Sequence, residues 1–107
     1  MSDFSQLIAR IDDQCRRAAA DSSAGSSTAD VEGLLTEGYL VALRGESRSR
    51  RLGERLEVLA QSLPDAEAAI EARTVGLEKR TVDQRVRVLR ERLAALREHL
   101  LQLRASG

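Results

Sequence analysis

Aromatic residues are almost missing from this sequence. Phe4 and Tyr39 are the only two, and there is no tryptophan. A closed small-molecule pocket usually carries more aromatic wall than that, so an enzyme built around such a pocket is disfavoured. Cys15 is the only cysteine, which rules out an internal disulfide. His99 is the only histidine. A lone histidine has no partner for a metal site or a nucleophilic triad. Pro64 is the only proline, so the chain has one strong breaker of regular structure. A net charge is absent too: 17 basic residues balance 17 acidic ones. A nucleic-acid binder normally shows a basic surplus, because phosphate neutralisation supplies most of its affinity. No apolar run approaches the roughly 20 residues of a membrane span. The start, MSDFSQLIARIDD, has no basic stretch ahead of a long apolar core, so no signal peptide is expected and a cytoplasmic location is.

What is present points to helix. Hydrophobic residues make up 42% of the 107, charged residues 32%, and the apolar ones are mostly Leu, Ala, Val and Ile. Such a composition suits long helices with one buried stripe and solvated flanks. A chain this short is expected to form a single domain, residues 1–107. Arginine supplies all the basic residues except Lys79, a bias that fits a GC-rich bacterial genome better than a function. Charge drifts along the chain: residues 1–30 hold five acids against three arginines, whereas residues 64–107 hold nine basic groups against seven acids.

The spacing predicts three helices. The first covers 3–20, where Phe4, Ile8, Ile11, Cys15 and Ala18 form a stripe spaced four, three, four and three. Residues 21–28, DSSAGSST, read as a linker, since five of the eight are Ser or Thr, which bond locally to the backbone. The second helix covers 30–62. Its seam is Val31, Leu35, Gly38, Ala42, Gly45, Ser49, Leu52, Leu56, Leu59 and Leu63. The glycines predict a bend or break near Gly45-Glu46-Ser47, since glycine costs about 1 kcal/mol in a helix interior. A turn at 62–65 follows, because the residue before Pro64 is pushed away from helical angles. The third helix covers 65–104, with a seam through Ala68, Ala72, Val75, Lys79, Val82, Val86, Leu89, Leu93, Leu96, Leu100 and Leu103. A 3.5-residue repeat held this long is a coiled-coil pattern.

A short connection makes flanking helices antiparallel neighbours. Folding the third helix on the second about Pro64 pairs residues whose numbers sum to about 127. Leu52 then faces Val75, Gly45 faces Val82, Gly38 faces Leu89 and Leu35 faces Leu93. Charges fall opposite too: Arg44 by Asp83, Glu46 by Arg80, Glu54 by Arg73, Arg55 by Glu71 and Glu37 by Arg90, with one clash of Arg48 against Lys79. The expected fold is therefore all-α: an antiparallel, coiled-coil-like helical hairpin with an additional N-terminal helix, as a three-helix bundle or an oligomeric bundle. The small stripe at Gly38, Ala42, Gly45 and Ser49 is a seat either for Phe4, Ile8 and Ile11 or for a second copy. Ile70, Leu77, Val88 and Leu101 lie beside the seam, where a third helix would meet them.

Each chemically capable residue has a plain reading. His99 sits in the last turns of the third helix, where a cation complements the dipole. Cys15 sits on the first stripe as a small buried residue, and Arg16 and Arg17 would lower its pKa if it were exposed. Arg48, Arg50, Arg51 and Arg55, with Lys79 and Arg80 across the hairpin, are either solvated flanks or a patch for an anionic partner. No aromatic residue interleaves with them, which argues against stacking on single strands. The tip carries Asp65 and Glu67. Paired acids at such a tip resemble those of bacterial RNA-polymerase secondary-channel factors, where they meet the active-site magnesium. At a helix N-terminus the same acids complement the dipole, and that reading is preferred. The glycines form no phosphate loop.

The expected function is a non-enzymatic helical protein–protein interaction module, such as an adaptor, assembly factor or chaperone, that forms a homo-oligomer. Its working surface would be Leu34, Gly38, Tyr39, Leu40, Ala42, Leu43 and Gly45, a stretch apolar nearly all round. The alternative is a transcription or nucleoid-associated regulator binding nucleic acid or RNA polymerase through the arginine-rich flank. No cofactor, metal, membrane or small-molecule substrate is expected.

Overall fold

The computed structural model describes residues 3–20, 28–62 and 64–106. The fold is all-α, with three helices in the order α1 (Asp3–Ala20), α2 (Thr28–Gln61) and α3 (Ala66–Ser106). Among the described residues there is no strand. Of the segment read as a linker, 21–27 lies outside the described residues, and Thr28 already belongs to α2. The break expected near Gly45-Glu46-Ser47 does not occur, since α2 is continuous there. Gly45 is buried, so packing outweighs its weak helix propensity.

The connection between α2 and α3 is held by local hydrogen bonds. Ser62 N donates to Leu59 O at the end of α2, and Asp65 N donates to Ser62 O across the turn, both at 3.0 Å. Asp65 caps α3: its Oδ1 accepts from Glu67 N at 3.0 Å, satisfying a backbone donor that the first helical turn cannot. Leu63 lies outside the described residues.

The chain divides into two compact units. The first comprises residues 1–42 and 87–107, so α1 meets one stretch of α2 and one of α3. Its core gathers Leu7 and Ile11 from α1, Val31, Leu34, Leu35 and Ala42 from α2, and Leu89, Leu93, Leu96 and Leu100 from α3. Ile11, Val31, Leu89, Leu93 and Leu96 are fully buried, each contributing about 1.5–3 kcal/mol of hydrophobic stabilisation. Phe4, Ile8 and Cys15 pack at its edge, so the first helix finds its place within the same chain. Ion pairs fasten its flanks: Arg10 to Glu37 at 2.9 Å, Arg92 to Asp12 at 2.9 Å and Arg104 to Glu32 at 2.8 Å.

The second unit, Leu43–Val86, is an antiparallel helical hairpin. Leu59, Ala68 and Val75 form its buried cluster, with Leu52, Leu56 and Ala72 half-buried against it. The expected Arg55–Glu71 pair is present, with Nη2 to Oε2 at 2.6 Å. The clash expected between Arg48 and Lys79 is resolved by rotation. Arg48 pairs with Glu78, while Lys79 bonds Asp83 at 2.8 Å one turn along its own helix. Asp83, expected beside Arg44, also accepts a hydrogen bond from Ser49 Oγ.

Candidate interaction surfaces

The stretch singled out on α2 is divided between interior and surface. Leu34 and Ala42 are buried at 7% and 0% exposure, and Gly38 and Gly45 are buried as well. The space above Gly38 is filled by Leu93 of α3. Tyr39 is half-buried, with the guanidinium carbon of Arg90 5.9 Å from its ring centroid. A cation at that distance is within reach of the ring's quadrupole. Leu40 and Leu43 are exposed at 50% and 55%.

Within the first unit, the α2–α3 pair has two flanks with different fates. On one, Arg10, Asp13 and Gln14 of α1 lie along Ala29, Asp30, Gly33, Leu34 and Glu37 of α2. On the other, a shallow groove is lined by Tyr39 from α2 and by Arg90, Ala94, Arg97, Glu98 and Leu101 from α3, with nothing from α1. Leu101 is 49% exposed there. Of the four residues expected to meet a third helix, only Val88 is half-buried; Ile70, Leu77 and Leu101 are exposed. For Leu101 the reason is that α1 occupies the opposite flank.

The basic cluster is partly neutralised. Arg48, Arg55 and Lys79 are held by Glu78, Glu71 and Asp83. Arg50, Arg51 and Arg80 are exposed and form no ion pair among the described residues. At the tip, the Asp65 carboxylate is engaged as a helix cap.

Cys15 is half-buried at the core edge. Burial pushes its thiol above the ordinary pKa of 9.0, Asp12 pushes in the same direction, and Arg92 opposes them. Arg16 and Arg17, which would lower the pKa of an exposed thiol, pair with Asp13 instead. His99, expected at the surface, is half-buried, and its Nε2 is buried without a hydrogen-bond partner among the described residues. It lies seven residues beyond Arg92, hence on the flank of α3 that faces α1, which only the Arg92–Asp12 contact reveals. Among the described residues no His, Cys, Asp and Glu side chains gather as a metal site, and no helix is long and apolar enough to cross a membrane. Comparison of the chain with protein-family models, curated proteins and solved structures found no match in any of the three.

Proposed function

We propose that this chain is a non-enzymatic, helix-based protein–protein interaction module that self-associates through the open α2–α3 groove of the first unit. The observation that carries the reading is the exposure of Leu101 in a groove it lines together with Tyr39, on a flank that α1 leaves uncovered. Half-exposed leucine in a groove between two helices is what a further helix covers in a four-helix arrangement. The rim favours a second copy, because Arg97 and Glu98 lie side by side on it. A two-fold axis can place each arginine against the other copy's glutamate. Leu40 is exposed as well, one residue on from Tyr39 and outside the groove lining, so it serves as a comparison position. A bacterial, cytoplasmic setting belongs to the same proposal, on the strength of the arginine bias and the single unbridged cysteine.

Light scattering across a concentration series, at low and high salt, tests the reading. A dimer or larger species is expected for the native chain, with Leu101→Glu shifting it to monomer, Leu40→Glu leaving it assembled, and helicity by circular dichroism staying within a few per cent in both. A native chain that is monomeric throughout sinks the proposal, and an assembly indifferent to Leu101→Glu moves the interface elsewhere. The second reading, a regulator that binds nucleic acid, is favoured by Arg50, Arg51 and Arg80, which keep free guanidinium groups. It requires a mobility shift of duplex DNA or RNA at low salt that fades steeply as salt is added.

A further inference from the structure

The second unit carries an exposed stripe of its own. Ile70, Thr74, Leu77 and Thr81 follow one another along α3 at intervals of four, three and four, which places them on one face. Ile70 is 69% exposed and Leu77 55%, so covering them would gain hydrophobic stabilisation. The two threonines add no unmet polar group. Thr74 Oγ1 donates to Ile70 O at 3.3 Å, and Thr81 Oγ1 donates to Leu77 O at 3.0 Å. A partner covering the face therefore strands no hydroxyl.

Charge decides what that partner is. One flank holds Glu71 and Glu78, whose carboxylates are already taken by Arg55 and Arg48. The other holds Arg73 and Arg80, exposed and without an ion pair among the described residues. They stand seven residues apart, about 10.5 Å along the axis. A second copy of α3 fits badly. Set antiparallel, it brings its own Arg73 and Arg80 against the same flank. Set parallel, it offers Glu71 and Glu78, which are already bound. We infer that this face docks an acidic amphipathic helix of another protein, with apolar residues against Ile70 and Leu77 and Asp or Glu seven apart against Arg73 and Arg80. This site is separate from the groove proposed for self-association and stands or falls independently.

The test uses the full chain and two fluorescein-labelled synthetic peptides of about 20 residues, long enough for a helix to persist when docked. Both carry leucine at heptad spacing and differ only in whether the flanks are Glu or Lys. Anisotropy titration is expected to show the Glu peptide binding at least tenfold tighter. Leu77→Ser should weaken it at least tenfold, and Arg73→Glu with Arg80→Glu should reverse the order of the two peptides. All three positions are exposed, so helicity by circular dichroism should stay unchanged. Equal binding of both peptides, no binding of the Glu peptide, or a preference that survives the double reversal overturns the inference. So does Leu77→Ser turning a native dimer into a monomer, since a second copy would then occupy the face. A labelled DNA duplex serves as the polyanion arm. If it displaces the Glu peptide and its own binding ignores Ile70→Ser with Leu77→Ser, the arginines serve a polyanion and the inference fails.

Discussion

Gly38 of α2 lies directly beneath Leu93 of α3: a Cβ added to Gly38 would strike Leu93 Cδ2 and stand 3.3 Å from its Cγ. Leu93 is fully buried and has nowhere to retreat. Gly38→Ala should gain about 1 kcal/mol of helix propensity and lose about 1–3 kcal/mol to overpacking. A net loss is expected in urea unfolding, with the slope unchanged. Gly33 and Gly76 have nothing within 4 Å of the same position, so Gly33→Ala and Gly76→Ala should each stabilise, by about 0.5–1 kcal/mol. A stabilising Gly38→Ala would contradict the close approach of α2 and α3.

Ile11 ties α1 to the core and is fully buried. Ile11→Ala should cost about 2–5 kcal/mol in equilibrium unfolding. A loss below about 1 kcal/mol would mean that α1 does not close the first unit in the same chain.

Asp65 contributes through its cap. Asp65→Ala should cost about 0.5–2 kcal/mol, while Asp65→Asn or Asp65→Ser keeps most of the stability, since each retains a side-chain oxygen for the Glu67 amide. Thermal unfolding of the three variants makes the comparison. An Asn variant as weak as the Ala variant would show that charge at the tip matters, rather than capping.

The thiol of Cys15 should alkylate slowly, because the thiolate is the reactive form and its pKa is raised. The midpoint of an iodoacetamide rate profile is expected above 9.0. Arg92→Gln removes the one opposing charge and should slow the reaction further at pH 8, whereas Asp12→Asn should speed it. A folded-state pKa above the unfolded one means that the native state holds its proton more tightly. The associated stability is intact below pH 9.0 and is lost as pH rises through the folded value.

Asp83 behaves oppositely. Its hydrogen bond from Lys79 and then the one from Ser49 hold its carboxyl below the ordinary 3.8. The native state here favours the deprotonated form. The stabilisation is present above pH 3.8 and disappears as pH falls through the lower folded value. Carbon-detected NMR titration should show the Asp83 midpoint rising in Lys79→Met, and rising less in Ser49→Ala. No movement in either variant would remove both hydrogen bonds as the cause.

Much of the core was legible in the spacing of Leu, Val and Ile. Val31, Leu35, Leu59, Val75, Val82, Val86, Leu89, Leu93, Leu96 and Leu100 were all seam positions, and all are buried. The register about Pro64 was legible in part, since Arg55 does meet Glu71. Arg48 and Lys79 were not, because a long side chain chooses among several carboxylates within its reach, and avoiding a clash costs only a rotamer. The functional surface was the least legible. Gly38 and Ala42 look the same in a sequence whether they receive a leucine of the same chain or a helix of another.

Periodicity along one helix is a local property, set by 3.6 residues per turn and the gain from burying apolar stems. The helices, the turn at Pro64 and the buried Leu, Val and Ile stripes therefore follow from local pattern. Tertiary structure alone decided which flank of the α2–α3 pair α1 covers, and so which leucines stay in water. It also decided which arginines keep a carboxylate and which are left to seek one elsewhere. These outcomes depend on competition for the same space and the same charges between residues far apart in the chain, and no spacing rule along one helix contains that competition.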